Sequence, residues 1–230
     1  MNPLDLYATI EPFIGFDEPY ERLYKRYLKE LKALHVRRIL DVGSGNGILL
    51  RHLSHAGFEA QGIERSAIMV ERAKSLGVNA SLDELDSFDN GSFDAILAVA
   101  DVLNYIPSDE LPLFFEAIAR VLKPNGFFLA DINTLHGFEN VAEGVMVKEV
   151  EGNFLSVDAS FENPLLHTTI TLFTPNNEHY TKEQGMITQY YHPLLQFKKI
   201  PSLSFFKSHL IHLFSPTVAD KTLFILKRLE

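Results

Sequence analysis

The sequence predicts an α/β fold: a doubly wound, mostly parallel seven-stranded sheet with an antiparallel β-rich insert after its fifth strand. Three observations predict it. Short apolar runs alternate with amphipathic helical segments through the first 137 residues, the rhythm of parallel strands covered by helices on both faces. The first apolar run ends in a glycine loop, "ILDVGSGNG". After about residue 137 the helical segments stop, and strand-like runs follow one another.

Each element has a local reason. The opening stretch, "MNPLDLYATIEPF", is expected to form a helical lid, and it lacks the basic and then apolar order of a signal peptide. In residues 18–34, Tyr20, Leu23, Tyr24, Tyr27, Leu28, Leu31 and Leu34 share one helical face. "RRILDVG" is a buried strand, and "NGILLRHLSHAG" a helix stopped by Gly57. "FEAQGIE" is the second strand, followed by a helix capped by Ser66 and stopped by Gly77. "VNASL" is a weak third strand. "FDNGS" turns into "FDAILAV", an apolar fourth strand. A helix over 108–122 starts at Ser108, with Pro112 near its first turn. "KPNG" breaks it, and "FFLADI" is the fifth strand.

The insert contains "VMVKEVEGNFLSVDASF" and "LLHTTITLFTP", a turn at "TPNNEHY", and a further strand in "GMITQYYHPL". "SLSFFKSHLIHLF" and "KTLFILKRL" are strands that complete the sheet. The expected division is a helical lid and α/β core over 1–137, a cap over 138–192, and closing strands over 193–230. Phe205, Phe206, Leu210, Leu213 and Phe214 are expected in the core or an interface.

The 230 residues suit one domain with an elaboration. No cysteine is present, so thiolate catalysis and disulfides are excluded. A net charge of −9 disfavours a nucleic-acid backbone as partner, and no apolar run has the roughly 20 residues of a membrane span. A soluble, cytoplasmic protein is the expectation.

The glycine loop narrows the ligand. A phosphate-binding P-loop would end in Gly-Lys-Ser/Thr, but Ile48 and Leu49 follow Gly47. A dinucleotide fingerprint would place its third glycine at Ile48. S-adenosylmethionine (SAM) has no phosphate and needs only a backbone stripped of side chains beneath it. Glu64 ends the second strand about twenty residues on, the distance at which an acid accepts from ribose hydroxyls. A plain strand-to-helix turn and a surface helix cap are the ordinary alternatives for the loop and for Glu64.

"ILDVGSGNG", "GIE", "NGSFDAILAVADVLNYI" and "VLKPNGFFLADINT" stand in the order seen in class I SAM-dependent methyltransferases, and residues 36–135 resemble that superfamily. The β-rich segment is similar to the insert of its small-molecule N-methyltransferases. The resemblance implies a Rossmann-like fold with SAM as cofactor. It implies Asp41, Gly43, Ser44, Gly45 and Gly47 as the cofactor loop and Glu64 as the ribose acid. It puts Asp101 at the methionine end or the acceptor. The family's acid after the third strand falls at Ser81 here, so Asp83 or the Leu82 backbone would serve the adenine. Tyr7 resembles a tyrosine that closes over the cofactor, or it simply anchors the N-terminus.

Methyl transfer needs a lone pair in line with an activated methyl, and water kept out. Asn104 and Tyr105 follow the fourth strand at the carboxyl edge, where open α/β sheets bind ligands; Tyr105 could equally be a core ring. His136 follows the fifth strand and could act as general base or stand in solvent. Tyr190, Tyr191 and His192 could line an acceptor pocket or be ordinary strand residues. His52 with His55, and His209 with His212, show no carboxylate partner in sequence, so no metal is expected. The expected activity is methyl transfer to a small-molecule acceptor, an amine before a hydroxyl. A nicotinamide oxidoreductase and a non-catalytic SAM-binding protein are the rivals. A homodimer through the insert is the alternative role for that segment.

Overall fold

A computed structural model describes residues 2–15 and 17–230. Helix α1 (Pro3–Ile14) is started by the Asn2 side chain, which accepts from the Leu4 N–H, and Gly15 ends it in the left-handed conformation. Helix α2 (Asp17–Leu34) follows. The alternation then runs through β1 (Arg38–Val42), α3 (Ile48–His55), β2 (Glu59–Ile63), α4 (Ala67–Ser75), the short β3 (Ala80–Ser81), β4 (Phe93–Ala98), α5 (Leu111–Val121) and β5 (Leu122–Asn133). A short α6 (Leu135–Gly137) leads to β6 (Gly144–Val150), β7 (Asn153–Glu162), β8 (Leu165–Asn176) and β9 (His179–Tyr190), and the chain closes with β10 (Leu203–Ile211) and β11 (Lys221–Arg228).

The main sheet has seven strands in the order β10-β11-β5-β4-β1-β2-β3. Its first five strands are parallel, and β11 and β10 add antiparallel beyond β5. Alternate residues of each strand feed opposite faces. Ile39, Ala95, Leu97, Leu129 and Ile225 pack with α2, α3 and α4. Leu40, Ile96, Phe128 and Phe224 pack with α5 and the turn Leu194–Lys198. The two families of helices on one sheet are the doubly wound fold that the alternation predicts.

The second sheet is antiparallel, β6-β7-β8-β9. One face, through Leu155, Ile170, Leu172 and Ile187, packs on Leu6, Ile10 and Ile14 of α1. Gly185 permits that approach, since a Cβ there would stand 3.2 Å from Leu6. Helix α1 is therefore sandwiched: its other side meets α4, where Ser66 Oγ donates to Asp5 at 2.6 Å and Arg72 donates to the Ala8 carbonyl. Lys148 of β6 holds the free carbonyls of Phe13 and Ile14 at the end of α1, at 2.9 and 3.0 Å.

Several local expectations change. Ser108 does not cap α5; Glu110 occupies that position, and Pro112 sits in the first turn. "KPNG" lies inside β5 as an irregularity between Phe93 and Ala95 in the pairing register. The turn in the insert shrinks to Asn177 and Glu178, because β9 starts at His179 rather than near Gly185. Leu213 is buried as expected, but Phe206 and Leu210 are exposed. Among the described residues, no helix is long and apolar enough to cross a membrane.

Candidate active site

The site is built at the carboxyl edge of β1, β2 and β4. The glycine loop leaves β1 and is tied to β2 at once: the N–H groups of Gly43 and Ser44 both donate to the Ile63 carbonyl, at 2.9 and 3.1 Å. The three glycines do different work. A Cβ on Gly43 would stand 2.6 Å from Val102, just past β4, and one on Gly47 would stand 2.7 Å from Ala73 of α4. Those two let the loop pack. A Cβ on Gly45 would meet nothing within 4 Å, so Gly45 faces open space.

Glu64 reaches back to this loop. One carboxylate oxygen accepts from the Gly45 N–H at 3.0 Å, and the other from the Arg65 and Ser66 N–H groups at 2.8 and 2.9 Å. It is thus both a loop brace and the brace of the α4 start. Asp41 lies beneath, 1% exposed. Burial, and then the charge of Glu64, push its carboxyl up to about 8. Asp41 Oδ1 and Ser44 Oγ are buried and have no partner within the protein. Such orphaned polar atoms call for a polar ligand, and with the open side of Gly45 they fit the amino-acid end of SAM. Leu82 is 57% exposed past β3, and Asp83 accepts from Ser81 Oγ at 2.7 Å, so both stand at the rim beyond Glu64.

Asp101 stands beside the loop in the left-handed conformation, as does Ala100 before it. One of its oxygens accepts from the ammonium of Lys221, and the other from Gln189 of β9 at 3.2 Å. Asp131, fully buried in β5, accepts from Lys221 at 3.2 Å, from Tyr27 OH at 2.8 Å, and from the Ala100 and Asp101 N–H groups at 2.9 and 3.2 Å. Tyr7 and Tyr105 lie near Asp101. Burial, Glu11 and Asp101 raise the Tyr7 hydroxyl above its ordinary range; burial, Tyr7 and Asp101 do the same to Tyr105. Both hydroxyls therefore stay protonated at neutral pH. Asn46 of the loop donates to Glu11 of α1 at 3.0 Å, which closes the lid over the loop.

The structure brings Asp41, the glycine loop, Glu64, Asp101, Tyr7 and Tyr105 together. It draws others elsewhere. Asn104 is fully buried and committed to backbone: its amide donates to the Tyr190 carbonyl at 2.8 Å and accepts from the Asn133 N–H at 3.0 Å. Tyr191 packs edge-on against Phe138, and the Tyr190 ring stacks on His192. His192 is itself buried against Phe197, and its Nε2–H donates to the Ile106 carbonyl at 3.0 Å; burial lowers its pKa. His136 lies 3.4 Å from Ser215 Oγ, on the connection before β11. The histidine pairs do have carboxylate partners: His52 meets Glu21 at 2.8 Å and His209 meets Glu30 at 3.2 Å. Among the described residues, no three His, Asp or Glu side chains converge as a metal site.

Sequence reasoning missed Asp131, Lys221, Gln189, Asn46 and Glu11. A signal existed for two of them, since Asp131 and Lys221 are charges set in apolar strands. A cavity of about 640 Å³ lies elsewhere, between α5 and Leu194–Lys198, lined by Leu111, Phe115, Phe197 and Ile200. It holds none of the carboxyl-edge groups, and none of the buried polar atoms left without a partner belongs to its lining, so the glycine loop is the better site.

Residues 39–126 match the family model of a methyltransferase domain. The Bacillus subtilis protein YqeM, whose methyltransferase assignment is itself provisional, is 32% identical over 136 residues, 52% of this chain and 55% of that one. A ubiquinone biosynthesis O-methyltransferase from Alkalilimnicola ehrlichii is 33% identical over 105 residues, 42% of this chain and 41% of that one. The chain thus matches about half the length of these curated relatives. Among solved structures, a SAM-dependent methyltransferase from Clostridium acetobutylicum superposes with a TM-score of 0.75 at 19% identity, covering 92% of both chains. The sugar N-methyltransferase KedS8 from Streptoalloteichus gives 0.72 at 20%, covering 90% of this chain and 87% of that one. SAM-bound CalS10, an amino pentose methyltransferase from Micromonospora echinaspora, gives 0.68 at 17%, covering 96% of both. At these identities the structural likeness speaks for the fold. Residues 39–126 therefore match a methyltransferase domain, in a chain whose sheet order and glycine loop suit that match.

Proposed function

We propose that this chain transfers a methyl group from SAM to the nitrogen of a small-molecule amine. The observation that carries the reading is the charge of the chamber. Glu64 and Asp101 converge there above Asp41, whose buried carboxyl is pushed up to about 8 and so adds its charge chiefly when a cation binds beside it, and the buried cation beside them, Lys221, is already shared between Asp101 and Asp131. An anionic chamber suits a cationic cofactor and an acceptor that ends positively charged. It opposes the alkoxide or phenolate that a hydroxyl acceptor would have to become.

SAM, when bound, supplies a methyl group already activated by a positively charged sulfur. Glu64 would take the ribose hydroxyls, and Asp41 with Ser44 the amino-acid end. A neutral amine brings its own lone pair, so no strong base is required. Tyr7 and Tyr105 would orient that amine through their hydroxyl oxygens, which accept from its N–H groups and leave its lone pair free. The Asp101 carboxylate would stabilise the positive charge that the acceptor nitrogen gains as it takes the methyl group. Residues 138–192 act as a cap in this reading. Gln189 and the Tyr190 carbonyl join the cap to the turn after β4, and α1 fills the space between cap and core, which keeps water out.

Amino-sugar N-methyltransferases among the structural neighbours support the amine; the O-methyltransferase relative supports the competing hydroxyl reading. Incubation with methyl-labelled SAM and matched panels of small amines and alcohols decides between them. Label on nitrogen is expected. Label on oxygen alone would overturn the amine, and tight SAM binding with no transfer to either panel would overturn the enzymatic reading.

A further inference from the structure

Asp101 and Asp131 share one buried ammonium, that of Lys221, whose side chain is 3% exposed. Removing a cation from water between β-strands is expensive unless charges pair with it. Burial alone would lower the Lys221 pKa, but the two carboxylates raise it above its ordinary value. The arrangement is asymmetric. Asp131 has three further donors, Tyr27 OH and the N–H groups of Ala100 and Asp101. Asp101 has one, the Gln189 amide from the cap. Asp131 in turn braces a strained turn: Ala100 and Asp101 have φ of 61° and 59°, and that turn presents Asp101 beside the glycine loop.

We infer that Lys221 is a positioning residue which, through Asp131 and the turn it braces, keeps Asp101 as an anion directed at the positive sulfur of the cofactor, so that the site favours the charged methyl donor over its uncharged product. This rests on the methyltransferase reading. Loss of the ammonium leaves two carboxylates facing each other, and such a pair holds a shared proton toward neutral pH. The proton settles on Asp101, because Asp131 keeps its three donors. Among the other groups around Asp101, the hydroxyls of Tyr7, Tyr20 and Tyr105 are protonated and supply no charge, while Glu64, with Asp41 beneath it, adds the same acidic background to the chamber in every variant. A neutral Asp101 still tolerates S-adenosylhomocysteine (SAH), whose sulfur is uncharged, but no longer attracts the sulfonium of SAM.

The test is calorimetric titration of SAM and of SAH into wild type, Lys221→Met and the charge-balanced double variant Lys221→Met/Asp131→Asn, with thermal melts at each pH. In wild type the ratio of SAM to SAH affinity between about pH 6 and pH 8.5 follows only the common background set by Asp41, which titrates in this window, and each variant is read relative to it. In Lys221→Met the ratio falls roughly tenfold at the acid end and recovers at the alkaline end, the size expected for one lost charge contact. In the double variant, where the facing Asp131 carboxylate is gone, the ratio relative to wild type is flat. A purely structural lysine predicts the opposite: SAM and SAH lose affinity equally at every pH, and the double variant is worse than the single one. That outcome, or an unchanged ratio in Lys221→Met, overturns the inference. If Lys221→Met does not fold, the double variant alone decides, since recovery of folding with a flat ratio supports charge balance and failure of both opposes it. Wild type that binds neither SAM nor SAH would instead refute the underlying methyltransferase reading.

Discussion

Gly45 and Gly47 sit two residues apart in the same loop, yet replacing each by alanine should give opposite phenotypes. Both have positive φ, 53° and 82°, so each alanine carries a left-handed backbone penalty of about 1–2 kcal/mol. They differ in what the new methyl meets. At Gly47 it would lie 2.7 Å from Ala73 Cβ, 2.8 Å from Val78 Cγ2 and 2.9 Å from Ala73 Cα. The last is backbone of α4 and cannot rotate away, so overpacking adds about 1–3 kcal/mol. At Gly45 the methyl enters the open space assigned to the cofactor. Because the backbone penalty is shared, the difference between the variants isolates the overpacking. For a chain of this length it corresponds to a melting gap of roughly 2–12 °C, with Gly47→Ala the lower. Thermal melts of the ligand-free proteins measure the gap, and calorimetric titration measures SAM. Gly45→Ala should melt below wild type only by the shared backbone penalty, roughly 2–8 °C, and bind SAM more weakly. Equal melting temperatures, or unimpaired SAM binding by Gly45→Ala, would refute the division of labour within the loop.

Three further outcomes follow from the same geometry. The Asp41 carboxyl moves from 3.8 to about 8 on folding, so between those values the native state holds a proton that the unfolded state lacks. Its contribution makes ligand-free stability fall as pH rises through that window, by at most about 1.4 kcal/mol per pH unit; Asp41→Asn should remove this component, and stability curves that stay parallel would contradict it. Glu64→Ala should weaken SAM by about 1.5–3 kcal/mol, roughly ten- to a hundredfold, and a mutant that binds like wild type would leave Glu64 only its bracing role. Asn104→Ala orphans the Tyr190 carbonyl and the Asn133 N–H and should cost about 2–5 kcal/mol in denaturant unfolding; a loss under about 0.5 kcal/mol, the range of ordinary surface changes, would show that Asn104 does not staple the cap to the core.

The fold was legible because its signals are local. Strands read as short apolar runs, helices as periodic faces, and the break after residue 137 marks where antiparallel pairing replaces crossover helices. The glycine loop and its bond to Glu64 were legible for the same reason: glycines at alternate positions and an acid after the next strand are short-range patterns. The rest of the site depends on distant pairs. Lys221 meets Asp101 across 120 positions and Asp131 across 90, and no periodicity encodes such a partnership. His192 shows a second limit. Strand alternation continues only to Tyr190, and the chain then turns the His192 ring into the α5 face instead of the chamber. Asn104 carries the side chain of a ligand-binding residue, but burial gives both its ends to the backbone.

The most direct test of the account is a structure of the chain in complex with SAH. The ribose hydroxyls should lie within hydrogen-bond distance of Glu64. The amino-acid end should reach Asp41 and Ser44, and the sulfur should face the space enclosed by Asp101, Tyr7, Tyr105 and Gln189. SAH bound instead in the cavity between α5 and Leu194–Lys198, or lying on the glycine loop with its sulfur turned away from Asp101 and the cap, would contradict it.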